Sequence, residues 1–203
     1  MKKTTRNILI ISACCMGAGI LAAAAGIAAG GWFGVQITRD GIRSASSETR
    51  PYILKKTKLD DFSGIKIDIT SEADIEFLPS EDGSAYLEYT LDGTGAEPLW
   101  GVSGDTLTVT QKGILSGGIF LDIGSLSTFS DSVVRLYLPE GTDCSDVEIS
   151  SDFGSMDISS FTADTLTLNL GYGDLDMKNI HTDKADIYLD FGNLDMEDIT
   201  ADT

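Results

Sequence analysis

The stretch "LNLGYGDLDMKNIHTD", residues 168–183, gathers residue types that can do chemistry. Gly171-Tyr172-Gly173 has the composition of a phosphate-cradling turn, where small residues let backbone N–H groups close on an anion. Asp174, Asp176 and Asp183 are hard oxygen donors. Asp174 and Asp176, with Asp195 and Asp198 further on, form the candidate metal set, and calcium is the ion such carboxylates would suit, since it takes roughly six to eight oxygens. The plainer reading is a solvated acidic face that keeps a β-rich chain soluble. The calcium-binding Gly-Gly-x-Gly-x-Asp nonapeptide is absent, and no other cofactor is implied.

Glycan-cleaving enzymes also use carboxylate pairs. A catalytic pair should be a local exception, whereas these carboxylates recur along the chain. After residue 147 the only cations are Lys178 and Lys184, with no Arg to neutralise a uronate. No catalytic residue is assigned, and the chain reads as a non-enzyme. His181, the one histidine, stands where neighbouring repeats carry Thr and lacks a Cys or His partner. Cys14 and Cys15 lie in an apolar run, leaving Cys144 alone as a buried or idle thiol.

The recurrence is a period. From Val147 the chain reads "VEISSDFGSMDISSFTADT", then "LTLNLGYGDLDMKNIHTDK" from Leu166, then "ADIYLDFGNLDMEDITADT" from Ala185, nineteen residues each without insertion. In register stand Ile149/Leu168/Ile187, Phe153/Tyr172/Phe191, Gly154/Gly173/Gly192, Ile158/Met177/Met196 and Asp164/Asp183/Asp202. Apolar steps of two mark strands with one face buried, and steps of three mark corners. The corners fall at Gly154, at Ser159-Ser160 and at Asp164-Thr165. This spacing predicts an all-β, right-handed parallel β-solenoid of 19-residue, three-sided coils, preceded by an N-terminal transmembrane helix. Phe153, Tyr172 and Phe191 are expected as an inward aromatic ladder, and an outward ladder, Asp157/Asp176/Asp195, would place like charges about 5 Å apart.

Upstream, "GIKIDIT", "ADIEFLP", "AYLEYTL", "DTLTVTQ", "GIFLDIG" and "VVRLYLP" read as strands, and Gly/Ser-rich stretches near 92–104 and 123–132 as loops. The organisation expected is a cytoplasmic tip and signal anchor over 1–37, a basic stalk over 38–58, irregular β coils or a capping sheet over 59–140, and regular repeats over 141–203. Residues 7–37 contain no charged side chain, long enough for a span. A cleaved signal is the competitor, with Ala22-Ala23-Ala24 as the cleavage region. Residues 1–58 carry nine Lys/Arg against two acids and residues 59–203 five against thirty, so +7 and −25 give the net −18. An acidic body repels nucleic acid. The expected placement is a single-pass cell-membrane protein with its body extracytoplasmic.

A span, a stalk, "FSGIKIDITSEADIEF", "DTLTVT", "VRLYLPEGT" and repeats of I-x-x-x-x-G-x-(M/L)-D-(I/M)-x-x-(I/F) together resemble the bacterial β-strand-repeat "putative adhesin" family of unknown function, which includes Lia-operon-like membrane-anchored envelope proteins. The likeness covers residues 59–203. It implies a β-helix-like fold and a role in adhesion or envelope stress, and it carries no active-site residues. Two functions follow as expectations: an adhesin-like display module that binds an envelope protein or glycan, and a regulatory or scaffolding membrane protein of the envelope-stress type. Thr203 falls at a repeat boundary without an obvious cap, which leaves open a truncated chain or a stacked neighbour, hence end-to-end self-association.

Overall fold

A computed structural model describes residues 12, 15–22, 25, 35–38, 41–44, 50–93, 95–113 and 132–201. The chain divides into two units, 1–47 with 119–127, and 48–118 with 128–203. In the first, residues 12, 15–22 and 25 are helical. Strand β1 (Val35–Thr38) pairs antiparallel with β2 (Gly41–Ser44). The expected transmembrane helix is not shown: among the described residues no helix is long and apolar enough to cross a membrane. The rest of the apolar run, including Cys14 and Trp32-Phe33, lies outside the described residues, as do the "GIFLDIG" strand and Asp202.

The second unit holds β3 (Tyr52–Lys58), β4 (Gly64–Glu72), β5 (Asp74–Pro79), β6 (Tyr86–Leu91), β7 (Leu99–Ser103), β8 (Thr106–Gln111), β9 (Val133–Leu138), β10 (Thr142–Phe153), β11 (Met156–Tyr172), β12 (Leu175–Phe191) and β13 (Leu194–Ala201). The five other upstream strands read from alternation are β4, β5, β6, β8 and β9. Two further strands stand where none was expected: β3 inside the stretch read as a stalk, and β7 inside the stretch read as a loop.

These strands join one mixed sheet, and this overturns the purely parallel solenoid. Strands β10 to β13 stack in parallel, each residue opposite the one nineteen later, as in Ile149 opposite Leu168 and Leu168 opposite Ile187. Parallel pairing continues from β10 to β4 and on to β8, and from β11 to β5 and on to β9. Beyond β8 and β9 the direction reverses: β7 lies antiparallel on β8, β6 antiparallel on β9, and β3 antiparallel on β6. One reversal has a local cause. Gly104 and Asp105 both adopt positive φ, 56° and 62°, the geometry of a two-residue hairpin turn whose twist matches its flanking strands.

The apolar positions of the repeat build the core. Val147, Ile149, Leu166 and Leu168 are fully buried, as are Met156, Ile158 and Leu175, and Ile65, Ile67, Leu107 and Val109 continue the interior upstream. Each such side chain contributes about 1.5–3 kcal/mol relative to an exposed one. Two corners carry special backbone. Gly154, Gly173 and Gly192 have φ of 114°, 145° and 149°, and Ser160, Asn179 and Asp198 have φ of 65°, 51° and 54°. The second column lies at the Ser159-Ser160 corner, where a small polar side chain tolerates the left-handed region. At the third corner the parallel pairing skips Asp164 and Asp183, and buried Thr182 donates its hydroxyl to the Lys184 carbonyl at 2.9 Å.

Candidate functional site

Gly171-Tyr172-Gly173 is an architectural corner. A Cβ at Gly173 would lie 2.1 Å from the Gly154 carbonyl oxygen, and one at Gly192 only 1.7 Å from that of Gly173. The backbone of one layer therefore touches the next, and its N–H groups are already spent: Gly173 N donates to Phe191 O at 3.0 Å, Gly154 N to Tyr172 O at 3.0 Å. Those donors are not free to cradle a phosphate.

Just past the glycine runs a column of polar side chains that sequence reasoning missed. Asp74 Oδ1 accepts from Ser155 N at 2.8 Å, Ser155 Oγ accepts from Asp174 N at 3.3 Å, and Asp174 Oδ1 accepts from both Asn193 N and Asn193 Nδ2 at 2.9 Å. Each layer's side chain thus caps a backbone donor in the layer above, satisfying groups that the corner removes from the strand ladder. The signal was available: Ser155, Asp174 and Asn193 occupy one repeat position, and all three are turn formers.

The candidate metal residues do not converge. Asp174 is engaged with Asn193. Asp176 and Asp195 are exposed register partners, continuing from Asp157. Asp198 stands at the other corner in its left-handed conformation. Among the described residues no group of three or more His, Cys, Asp or Glu is placed to hold a metal ion. Beside the Asp ladder, Lys178 Nζ donates to Glu197 Oε2 at 2.6 Å, an exposed pair whose carboxylate raises the lysine's pKa through that hydrogen bond. His181 is exposed between Thr162 and Thr200 in the register.

The aromatic ladder forms, facing the other way. Phe153 and Tyr172 stack at 5.4 Å between centroids, Tyr172 and Phe191 at 4.9 Å, each pair within 8° of parallel. Yet Tyr172 is 52 % exposed and Phe191 62 %, while Phe153 is half-buried. The pairing skips Asp152, Gly171 and Asp190 in successive layers. An extra residue of this kind resets the inward-outward alternation, so the aromatic that follows leaves the core face. Tyr188, on the same strand as Phe191, is also largely exposed.

The remaining polar groups support the framework. Arg135 Nε donates to Glu76 Oε2 at 2.7 Å, and this carboxylate raises the arginine's pKa. Buried Ser71 donates to Gln111 Oε1 at 2.6 Å, and Gln111 Nε2 donates to the carbonyls of Asp92 and Ala96. Tyr86 donates its phenol to Asp82, which holds that carboxyl below its ordinary pKa. Cys144 is buried, and desolvation, with Asp143 nearby, pushes its thiol up to about 11. The group is a protonated core side chain, not a nucleophile.

The model of the family described as Toastrack DUF4097 matches residues 63–203. No curated protein matches the chain. Among solved structures, a "putative adhesin" from Parabacteroides distasonis is similar at 16 % identity and TM-score 0.40, over 76 % of this chain and 68 % of that one. A "putative cell adhesion protein" from Clostridium sporogenes is similar at 15 % identity and TM-score 0.37, over 75 % and 95 %. A "putative lipid binding protein" from Parabacteroides distasonis is similar at 11 % identity and TM-score 0.26, over 76 % and 97 %. The family-level resemblance read from the repeats is borne out, and its Lia-operon-like detail finds no counterpart here.

Proposed function

The chain belongs to the Toastrack DUF4097 family, and from that premise we propose that it is a non-enzymatic, adhesin-like binding module of the cell envelope. Its acidic β body is displayed outside the membrane, held there by the apolar run of residues 7–37. The observation that carries the reading is the outward aromatic column Phe153-Tyr172-Phe191. Rings of this size are costly to leave in water, and a contiguous exposed apolar feature on a rigid scaffold is the common form of a binding surface. The surrounding carboxylates exclude polyanions as partners, which directs the column to a neutral glycan or a neutral or basic protein of the envelope. Carboxylates that recur with the repeat, spread along a face, supply no local acid and base pair.

The test is binding of the full chain, purified in mild detergent, to immobilised cell-wall glycan and, in a second arm, to envelope protein extract. Substituting Tyr172→Ser and Phe191→Ser together is expected to weaken capture about tenfold or more, the size of effect that interface aromatics carry. Asp157→Asn should leave it unchanged. Capture that ignores the two ring substitutions, or an absence of capture in both arms, overturns the reading.

A further inference from the structure

The outer face of one half of the sheet carries a column of charges that runs from β3 to β13. In spatial order the strands are β3, β6, β9, β5, β11, β12 and β13. At the β3 end stand exposed Lys55 and Lys56, where the pairing to β6 slips between Leu54 and Thr57. Lys56 Nζ lies 4.9 Å from the Tyr86 ring and 3.8 Å from the Tyr137 ring, holding it on this face. Next come Glu88, Arg135 and Glu76, matched in register and alternating in sign. Asp157, Asp176 and Asp195 complete the column. One edge is thus basic and the opposite edge acidic.

Both edges are open among the described residues: β3 pairs with β6 alone, and β13 with β12 alone. Apolar side chains are left uncovered there. Leu194 is 43 % and Met196 52 % exposed, although their counterparts one layer down, Leu175 and Met177, are buried, and the inward side chains of β3, Tyr52 and Leu54, are only partly covered. Direction also agrees. Two antiparallel steps, β9 to β6 and β6 to β3, cancel, so β3 runs parallel to β13. The other half of the sheet also leaves apolar side chains at its edges, Leu99 and Trp100 of β7 at one and Tyr188 and Phe191 of β12 at the other, although there a single antiparallel step makes β7 run opposite to β12.

We propose that copies of this chain associate head to tail, the β13 edge of one adding as a parallel strand to the β3 edge of the next. Strand addition satisfies the open backbone groups. It seats Asp195 and Glu197 against Lys55 and Lys56 on the outer face and brings Leu194 and Met196 beside the inward Tyr52 and Leu54 of β3. The two surfaces differ, so the contact is heterologous and leaves a free edge at each end, giving a series of sizes and not a closed dimer.

The experiment is sedimentation of the full chain in mild detergent across concentration and salt. The expected result is a mean mass that climbs with concentration through dimer, trimer and beyond, and falls in high salt, because exposed charge pairs are screened within about 10 Å at 0.1 M. Two variants sharpen it. Lys55→Glu with Lys56→Glu makes both edges acidic, and Asp195→Lys with Glu197→Lys makes both basic. Each alone should shift the concentration for association up about tenfold or more, and an equal mixture should restore it, because acidic then meets basic at every junction. A wild-type chain that stays single at all concentrations overturns the proposal. So does a mass series indifferent to salt, or folded variants that behave alike alone and mixed; should a variant misfold by circular dichroism, the wild-type salt series decides alone.

Discussion

Replacing Gly173 by Ala tests whether direct backbone contact between layers, and not glycine flexibility alone, fixes the corner. Two costs add. A φ of 145° is a region that L side chains rarely adopt, a strain on the order of 1–3 kcal/mol. The new Cβ would also stand 2.1 Å from the Gly154 carbonyl oxygen, and relieving the overlap means moving hydrogen-bonded backbone, about 1–3 kcal/mol more. The sum is about 4 kcal/mol. Gly141→Ala is the control, since Gly141 has a φ of 73° and no heavy atom within 4 Å of the added carbon; its cost is about 1–2 kcal/mol. At roughly 2–4 °C per kcal/mol for a chain of this size, Gly173→Ala should melt about 5–10 °C below Gly141→Ala when unfolding is followed by far-ultraviolet circular dichroism. Equal melting temperatures for the two variants would refute the reasoning, because the close approach would then cost nothing.

Asp174→Ala removes the acceptor of both Asn193 hydrogen bonds and, discounted for exposure, should cost about 1 kcal/mol in urea unfolding. Asp176→Asn, in the like-charge ladder, should be neutral within about 0.5 kcal/mol or slightly stabilising at low salt; a larger loss than at Asp174 would reverse the roles assigned here. Cys144 supplies a pH dependence. Its thiol is raised from an ordinary 9.0 to about 11, so the unfolded chain loses the proton first. The stability is therefore fully present below about 9 and lost as pH rises from there through about 11. The loss is at most about 3 kcal/mol, and it should vanish in Cys144→Ala when the two alkaline unfolding curves are compared.

The repeat was legible because nineteen-residue spacing is a property of the chain itself, and it reappears as the register that sets Leu168 between Ile149 and Ile187. The glycine corner and the Ser160, Asn179 and Asp198 corner follow from the same spacing. What stayed hidden depended on partners far away in the chain. Tyr52–Lys58 became a strand because β6 offers it an edge, and its three lysines make it read as a stalk. One antiparallel addition, β7 on β8, was signalled by Gly104-Asp105 between two short runs, a hairpin sign masked by the Gly-rich stretch before it. The aromatic column was read inward because alternation was carried past Asp152, Gly171 and Asp190, where each layer spends a residue on the bend. Asp174 invited a ligand-binding reading because a carboxylate in a loop looks the same whether it caps a backbone N–H or waits for a cation.

The parallel stack has a consequence for how the chain acquires its shape in time. Neighbouring repeats are joined by nineteen-residue steps, as in the Lys178–Glu197 contact, whereas β4 must meet β10 across 82 residues, as in the Lys66–Glu148 contact. Loop closure across the longer span costs about 1.3 kcal/mol more entropy, since each doubling adds about 0.6 kcal/mol. The repeats are therefore the segment that can order most locally, whereas the β4 edge that faces β10 closes only across the longer span. The other edge of β4 meets β8 across 42 residues, so loop entropy favours two separate local pairings, β4 on β8 and repeat on repeat, with β10 as the strand that joins them.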